Sequence, residues 1–123
     1  MEKAIFITKP YQLGYVNNGY NRLYYGNEFC ERLIPSTSQL RQILYYVKRN
    51  KLDFSFVTPY VTNCGFKRLN SLFELLKNLG ISCEIIVNDW GVLNLINYKY
   101  PNLKPVLGRL LTKSVPSFII FNS

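Results

Sequence analysis

Apolar positions along the chain follow two different periods in turn. Ala4–Thr8 (AIFIT), Phe54–Val57 and Cys83–Val87 are short apolar runs, each of strand length. Arg22–Tyr25, closing at Gly26, reads as a further strand, and Val106–Leu111 as the last of the series. Between these runs the spacing changes. Leu40, Ile43, Leu44 and Val47 recur at i, i+3, i+4 and i+7, the buried stripe of an amphipathic helix, with Ser36, Thr37 and Ser38 available to cap it. Phe66, Leu69, Leu72, Phe73, Leu76 and Leu79 mark a second helix that Gly80 stops. Asn88 and Asp89 can cap a third, starting at Trp90 and ending before Pro101. Helices are expected at about 38–50, 65–79 and 90–98. Lys9–Asn21, rich in Gly, Asn and Tyr, reads as loop.

The middle of the chain therefore alternates helix and strand. The strands are continuous apolar runs rather than clean alternations, as expected where helices cover a sheet. That is the signature of an α/β fold with a mainly parallel sheet. Right-handed crossovers would place the helices on one side if the sheet curls as in a barrel. Ser114–Ser123 breaks the pattern, because Phe118–Phe121 has no helix after it. This segment is expected to form a terminal strand or to pair with another copy.

Composition adds exclusions. The chain has 123 residues, with 48% hydrophobic and 18% charged, which suits one domain with a buried core. Histidine is absent, so a Ser-His-Asp triad, a Cys-His pair and a histidine pH switch have no place within these residues. Three cysteines in unrelated neighbourhoods make neither a disulfide framework nor a metal finger, and imply a reducing, cytoplasmic setting. No stretch approaches the roughly 20 apolar residues of a membrane helix. The net charge of +8 and the ten tyrosines admit a nucleic-acid partner. The basic residues are scattered, however, and the tightest group (Lys48, Arg49, Lys51) complements a helix C-terminus.

Candidate chemistry gathers where parallel strands end. Thr58 and Tyr60 follow one strand, Asn88 and Asp89 the next, and Arg109 the last. Glu84 shares a strand face with Ile86 and Asn88, where a carboxylate needs a partner. Arg109 is the first candidate, and Glu84 is expected to be largely buried. These six residues form the expected ligand site. Asp89, at a helix start, suits orienting a ligand better than acid catalysis. Cys30 is the candidate metal ligand, Cys64 and Cys83 structural thiols.

Four stretches, taken in order, resemble the collagenase-like peptidase family: Leu23–Arg32 (LYYGNEFCER), Phe56–Thr62 (FVTPYVT), Glu84–Leu93 (EIIVNDWGVL) and Pro105–Lys113 (PVLGRLLTK). The most specific part is NDWG followed by GRLL about 20 residues later. The resemblance implies a TIM-like barrel and an activity of peptidase type or one associated with RNA or quinone hydroxylation. Several members of that family hold a [4Fe-4S] cluster through four cysteines, and by resemblance Cys30 falls at the first ligand. A full barrel takes about 250 residues. The expectation is thus a partial, half TIM-like barrel over 1–113 with a divergent apolar tail over 114–123, and no cluster within this chain alone. Completion would come from a homo-oligomer or a complementary barrel half, and a non-enzymatic binding module is the alternative to an enzyme.

Overall fold

The computed structural model describes residues 2–17 and 19–112. Five strands and four helices alternate: β1 (Ala4–Ile7), β2 (Arg22–Gly26), α1 (Thr37–Arg49), β3 (Asp53–Val57), α2 (Asn63–Asn78), β4 (Glu84–Val87), α3 (Trp90–Lys99), β5 (Lys104–Leu107) and α4 (Arg109–Thr112). The sheet order is β1-β2-β3-β4-β5, and every neighbouring pair is parallel. Each helical crossover thus leads to the adjacent strand, and the order never reverses. The α/β class and parallel sheet follow the apolar pattern. The tail over 114–123 lies outside the described residues.

Local chemistry sets the helix limits. Ser36 accepts from the Gln39 amide, and Gln39 reaches back to the Ser36 amide, which closes a capping box at α1. Leu40, Ile43, Leu44 and Val47 are all buried, as their spacing requires. α1 and α2 end alike. Leu52 N–H donates to Val47 O at 3.0 Å, and Ile81 N–H to Leu76 O at 2.9 Å. These are the long bonds of Schellman motifs, which need a left-handed residue just past the helix. Gly80 fills that place after α2 with φ 68°, whereas Lys51 fills it after α1 with φ 53°. Leu79, the last residue of the expected helical stripe, is exposed because the chain has already left the helix.

Two expectations change. The segment read as loop contains a 3-10 turn over Pro10–Tyr15. The expected strand Val106–Leu111 is split: β5 begins at Lys104 and stops at Leu107, and Arg109–Thr112 turns into α4. The physical cause is Asn88, whose side-chain oxygen accepts from Leu110 N–H at 3.0 Å. Leu111 and Thr112 N–H both return to Gly108 O. With those bonds made, the apolar pair Leu110-Leu111 belongs to a helical turn.

The core lies on one face of the sheet. Ile7, Leu23, Tyr25, Phe54, Phe56, Ile85, Val87 and Leu107 pack against the helix residues in one cluster. Alternation sends their neighbours to the other face. There Ser55 and Val57 are buried, while Tyr24, Ile86 and Val106 are half-buried and Phe6 is 46% exposed. No described helix covers this second face, and Val57 stands outside the core cluster.

The two sheet edges differ. β1 (AIFI) carries neither charge nor proline. On β5, Lys104 and Gly108 donate to Cys83 and Val87 carbonyls, so position 105 faces away from β4. Pro105 thereby removes an outward N–H, a device that discourages strand addition.

Candidate functional site

The carboxyl ends of β3, β4 and β5 meet at a knot of buried polar groups. Thr58 donates to Ile86 O twice, through its amide at 3.0 Å and its hydroxyl at 2.8 Å. Asn88 has no exposed surface; its Nδ2 donates to Thr58 O at 2.8 Å and its Oδ1 accepts from Leu110 N–H. Asp89 caps α3, with Oδ1 accepting from Gly91 and Val92 amides, and its Oδ2 accepts from Val61 N–H at 3.1 Å. Three of the six expected ligand residues are thus committed to the protein's own backbone. They hold the mouth in shape, as buried polar groups must have partners.

Exposed groups surround this knot. Tyr60 is 67% exposed just beyond β3, and Trp90 is exposed at the start of α3. Arg109 follows β5 and binds Glu28, with Nε to Oε2 at 3.1 Å and a second, shorter contact through NH2. The carboxylate side chain is 11% exposed and the guanidinium 75%. Arg109 also lies over the Phe29 ring, 5.8 Å from its centroid. The hydrogen bond and charge of Glu28 raise the Arg109 pKa above its usual value. The mouth therefore offers aromatic surface and one neutralised ion pair.

Glu84 does not join this group. It opens β4, whereas Arg109 lies past the end of β5, and four strand residues span about 13 Å. In a parallel sheet those positions belong to opposite ends of the strands. The partners of Glu84 come from the edge where the strands begin. Ser55 Oγ donates to Glu84 Oε1 at 2.9 Å and accepts from Arg22 NH1 at 2.8 Å. Arg22 also pairs with Glu2 at 3.3 Å and lies 3.8 Å from Asp53. Glu84 is half-buried rather than largely buried. Ser55 and Arg22 are the residues that sequence reasoning missed. The available signal was a serine in the middle of the apolar run DFSFV.

The cysteines stay apart. Cys30 is half-buried, caps the 3-10 turn Glu31–Leu33, and donates its amide to Asn27 Oδ1 at 2.7 Å. Cys64 is exposed in the first turn of α2. Cys83 is buried; burial, with Glu84 beside it, pushes its thiol up to about 12, far from a reactive thiolate. Among the described residues no group of three or more Cys, Asp or Glu side chains is placed to hold a metal. The residues around Cys30 do not fit a four-thiolate cluster.

Two further anchors escaped the sequence. Glu31 accepts from the amide and hydroxyl of Thr62, each at 2.7 Å, and so caps α2 from 31 residues away. These two bonds hold its carboxyl below the usual range. Tyr100, fully buried after α3, donates its hydroxyl to Asn70 Oδ1 at 2.6 Å, with Glu74 Oε2 at 3.1 Å.

Comparison of the chain with protein-family models, curated proteins and solved structures finds no match. Among the described residues no helix is long and apolar enough to cross a membrane. Fold and site together define a parallel α/β domain with one helix-covered face, a second face that no described helix covers, and a hydrogen-bonded polar mouth.

Proposed function

We propose that this protein is a non-catalytic half-barrel, similar in fold to the collagenase-like peptidase family, that works as a binding module completed by a second half-barrel. The observation that carries this reading is the sheet face that no described helix covers. Phe6, Tyr24, Ile86 and Val106 line it, and no described helix packs there. In a closed barrel these inward positions would be layered against those of the opposite strands. Most ionic groups on this face have partners: Arg22 answers Glu2 and Asp53, and Ser55 links it to Glu84, while exposed Lys104, opposite Glu84 in the register, has no ion pair among the described residues. A partner can therefore cover the Arg22–Ser55–Glu84 group without stranding its charges, provided Lys104 at the margin stays in solvent. Among the described residues no strand pairs with the outer edge of β1, which leaves that edge available for pairing, while Pro105 limits such pairing at β5.

Catalysis of the peptidase or hydroxylation type has less support. Thr58, Asn88 and Asp89 are committed to backbone bonds, and Arg109 to Glu28. Ligand contact at the mouth falls to Tyr60, Trp90 and the outer side of Arg109.

Light scattering on the purified protein tests the proposal, because the one second half then available is another copy. The expected result is a dimer that Ile86→Lys with Val106→Lys converts to monomer at unchanged far-UV circular dichroism. A wild-type monomer, or a dimer indifferent to those two lysines, would refute it.

A further inference from the structure

The helix-covered side carries a cleft that the mouth and the bare face do not use. It lies between the C-terminal half of α1 and the turn after α2, with a volume of about 630 Å³. Its floor is apolar: Leu44, Val47, Phe54 and Cys83 retain 6–8% exposure, whereas their core neighbours Leu40, Ile43, Leu76 and Ile85 retain none. The residual exposure of these four residues is the surface that the cleft opens. Leu79 and Ile81 close its far wall.

The rim is cationic. Arg41 and Lys48 stand at i and i+7 on α1, with exposed Tyr45 between them. Neither cation has an acidic partner among the described residues. Lys48 sits in the last turn, where the helix dipole accounts for it. Arg41 lies in the second turn, where the dipole does not. The one carboxylate on the lining, Asp53, lies beside Arg22. The Ser82 hydroxyl already donates to Asn102 O at 2.7 Å. The floor thus offers almost nothing to a polar ligand body, and the rim attracts an anionic head.

We infer that this cleft binds a soluble single-chain amphiphile with an anionic head, of the class of medium-chain fatty carboxylates. The chain lies over Leu44, Val47 and Phe54, and the carboxylate faces Arg41 and Lys48. The volume falls within the usual range of small-molecule sites. A nucleotide base fits the floor poorly, since its ring polar groups would be desolvated without partners.

The test is a methyl-NMR titration with decanoate, with decanol as the uncharged control. Decanoate should shift the methyls of Leu44, Val47, Leu79 and Ile81, and bind about tenfold more tightly than decanol. Arg41→Ala with Lys48→Ala should remove that tenfold preference and leave decanol binding unchanged, as two exposed ion contacts would. Shifts confined to the methyls of Ile86 and Val106 would place the chain on the opposite sheet face and overturn the inference. So would equal affinity for the acid and the alcohol, or a preference that survives the double substitution.

Discussion

Asn88 shows how much of the carboxyl edge rests on one side chain. Its amide ties the loop after β3 to the turn that begins α4, and it has no exposed surface. Gly108 is what lets β5 come close enough. A Cβ there would lie 2.2 Å from Asn88 Oδ1 and 2.6 Å from its Cγ. Asn88 has no room to retreat without breaking its two bonds. Gly108→Ala should therefore cost about 1–3 kcal/mol, read from urea midpoints. Combined with Asn88→Ala it should show coupling, because the second change removes the atoms the first collides with. An unchanged midpoint in Gly108→Ala would mean that the close approach does not exist in solution.

At the scale of the element, α2 depends on a carboxylate outside itself. Thr62 occupies its N-cap but makes no cap bond with its own side chain. Glu31 supplies the acceptor instead, through Thr62 N–H and Oγ1. A negative charge at that position also suits the helix dipole. Because folding lowers this carboxyl from its ordinary value of 4.5, its stabilisation is complete above that pH. It is lost as pH falls through the lower, folded value. Glu31→Gln should therefore unfold at less urea than wild type at pH 7, and the gap should narrow as the pH falls below 4.5. A gap that stays constant or widens in acid would show that the charge contributes nothing to the cap.

The whole molecule is unevenly fastened. β3 is paired on both sides and lies under helices, whereas β1 and β5 each have one neighbour among the described residues. Amide exchange should be slowest around Phe56 and Ile85, and faster on the order of tenfold or more along Ala4–Ile7. Dilute protein measured by NMR provides the check. Equal protection of β1 and β3 at dilution would mean that the β1 edge is covered within the single chain. The same measurement at high concentration bears on assembly, since a second half-barrel would slow β1 first.

The sequence by itself marked β1 to β4 and α1 to α3 and pointed to a mainly parallel sheet. Periodicity, caps and stops act within a few residues, so Leu40, Ile43, Leu44 and Val47, Ser36, Gly80 and Asp89 were legible where they stand. Alternation also placed Glu84, Ile86 and Asn88 on one face. The tertiary structure alone decided their partners. Glu84 bonds Ser55 and not Arg109, because parallel strands put the first and last residues of their runs at opposite ends of the sheet. Arg109 found Glu28 across 81 positions of chain, and Glu31 reached Thr62 across 31. The end of β5 was likewise hidden, because Asn88, and not any residue of Val106–Leu111, turns Leu110 and Leu111 into a helix. Local backbone preferences are written over three or four residues. Polar pairing is settled by which side chains the folded sheet brings within hydrogen-bond reach.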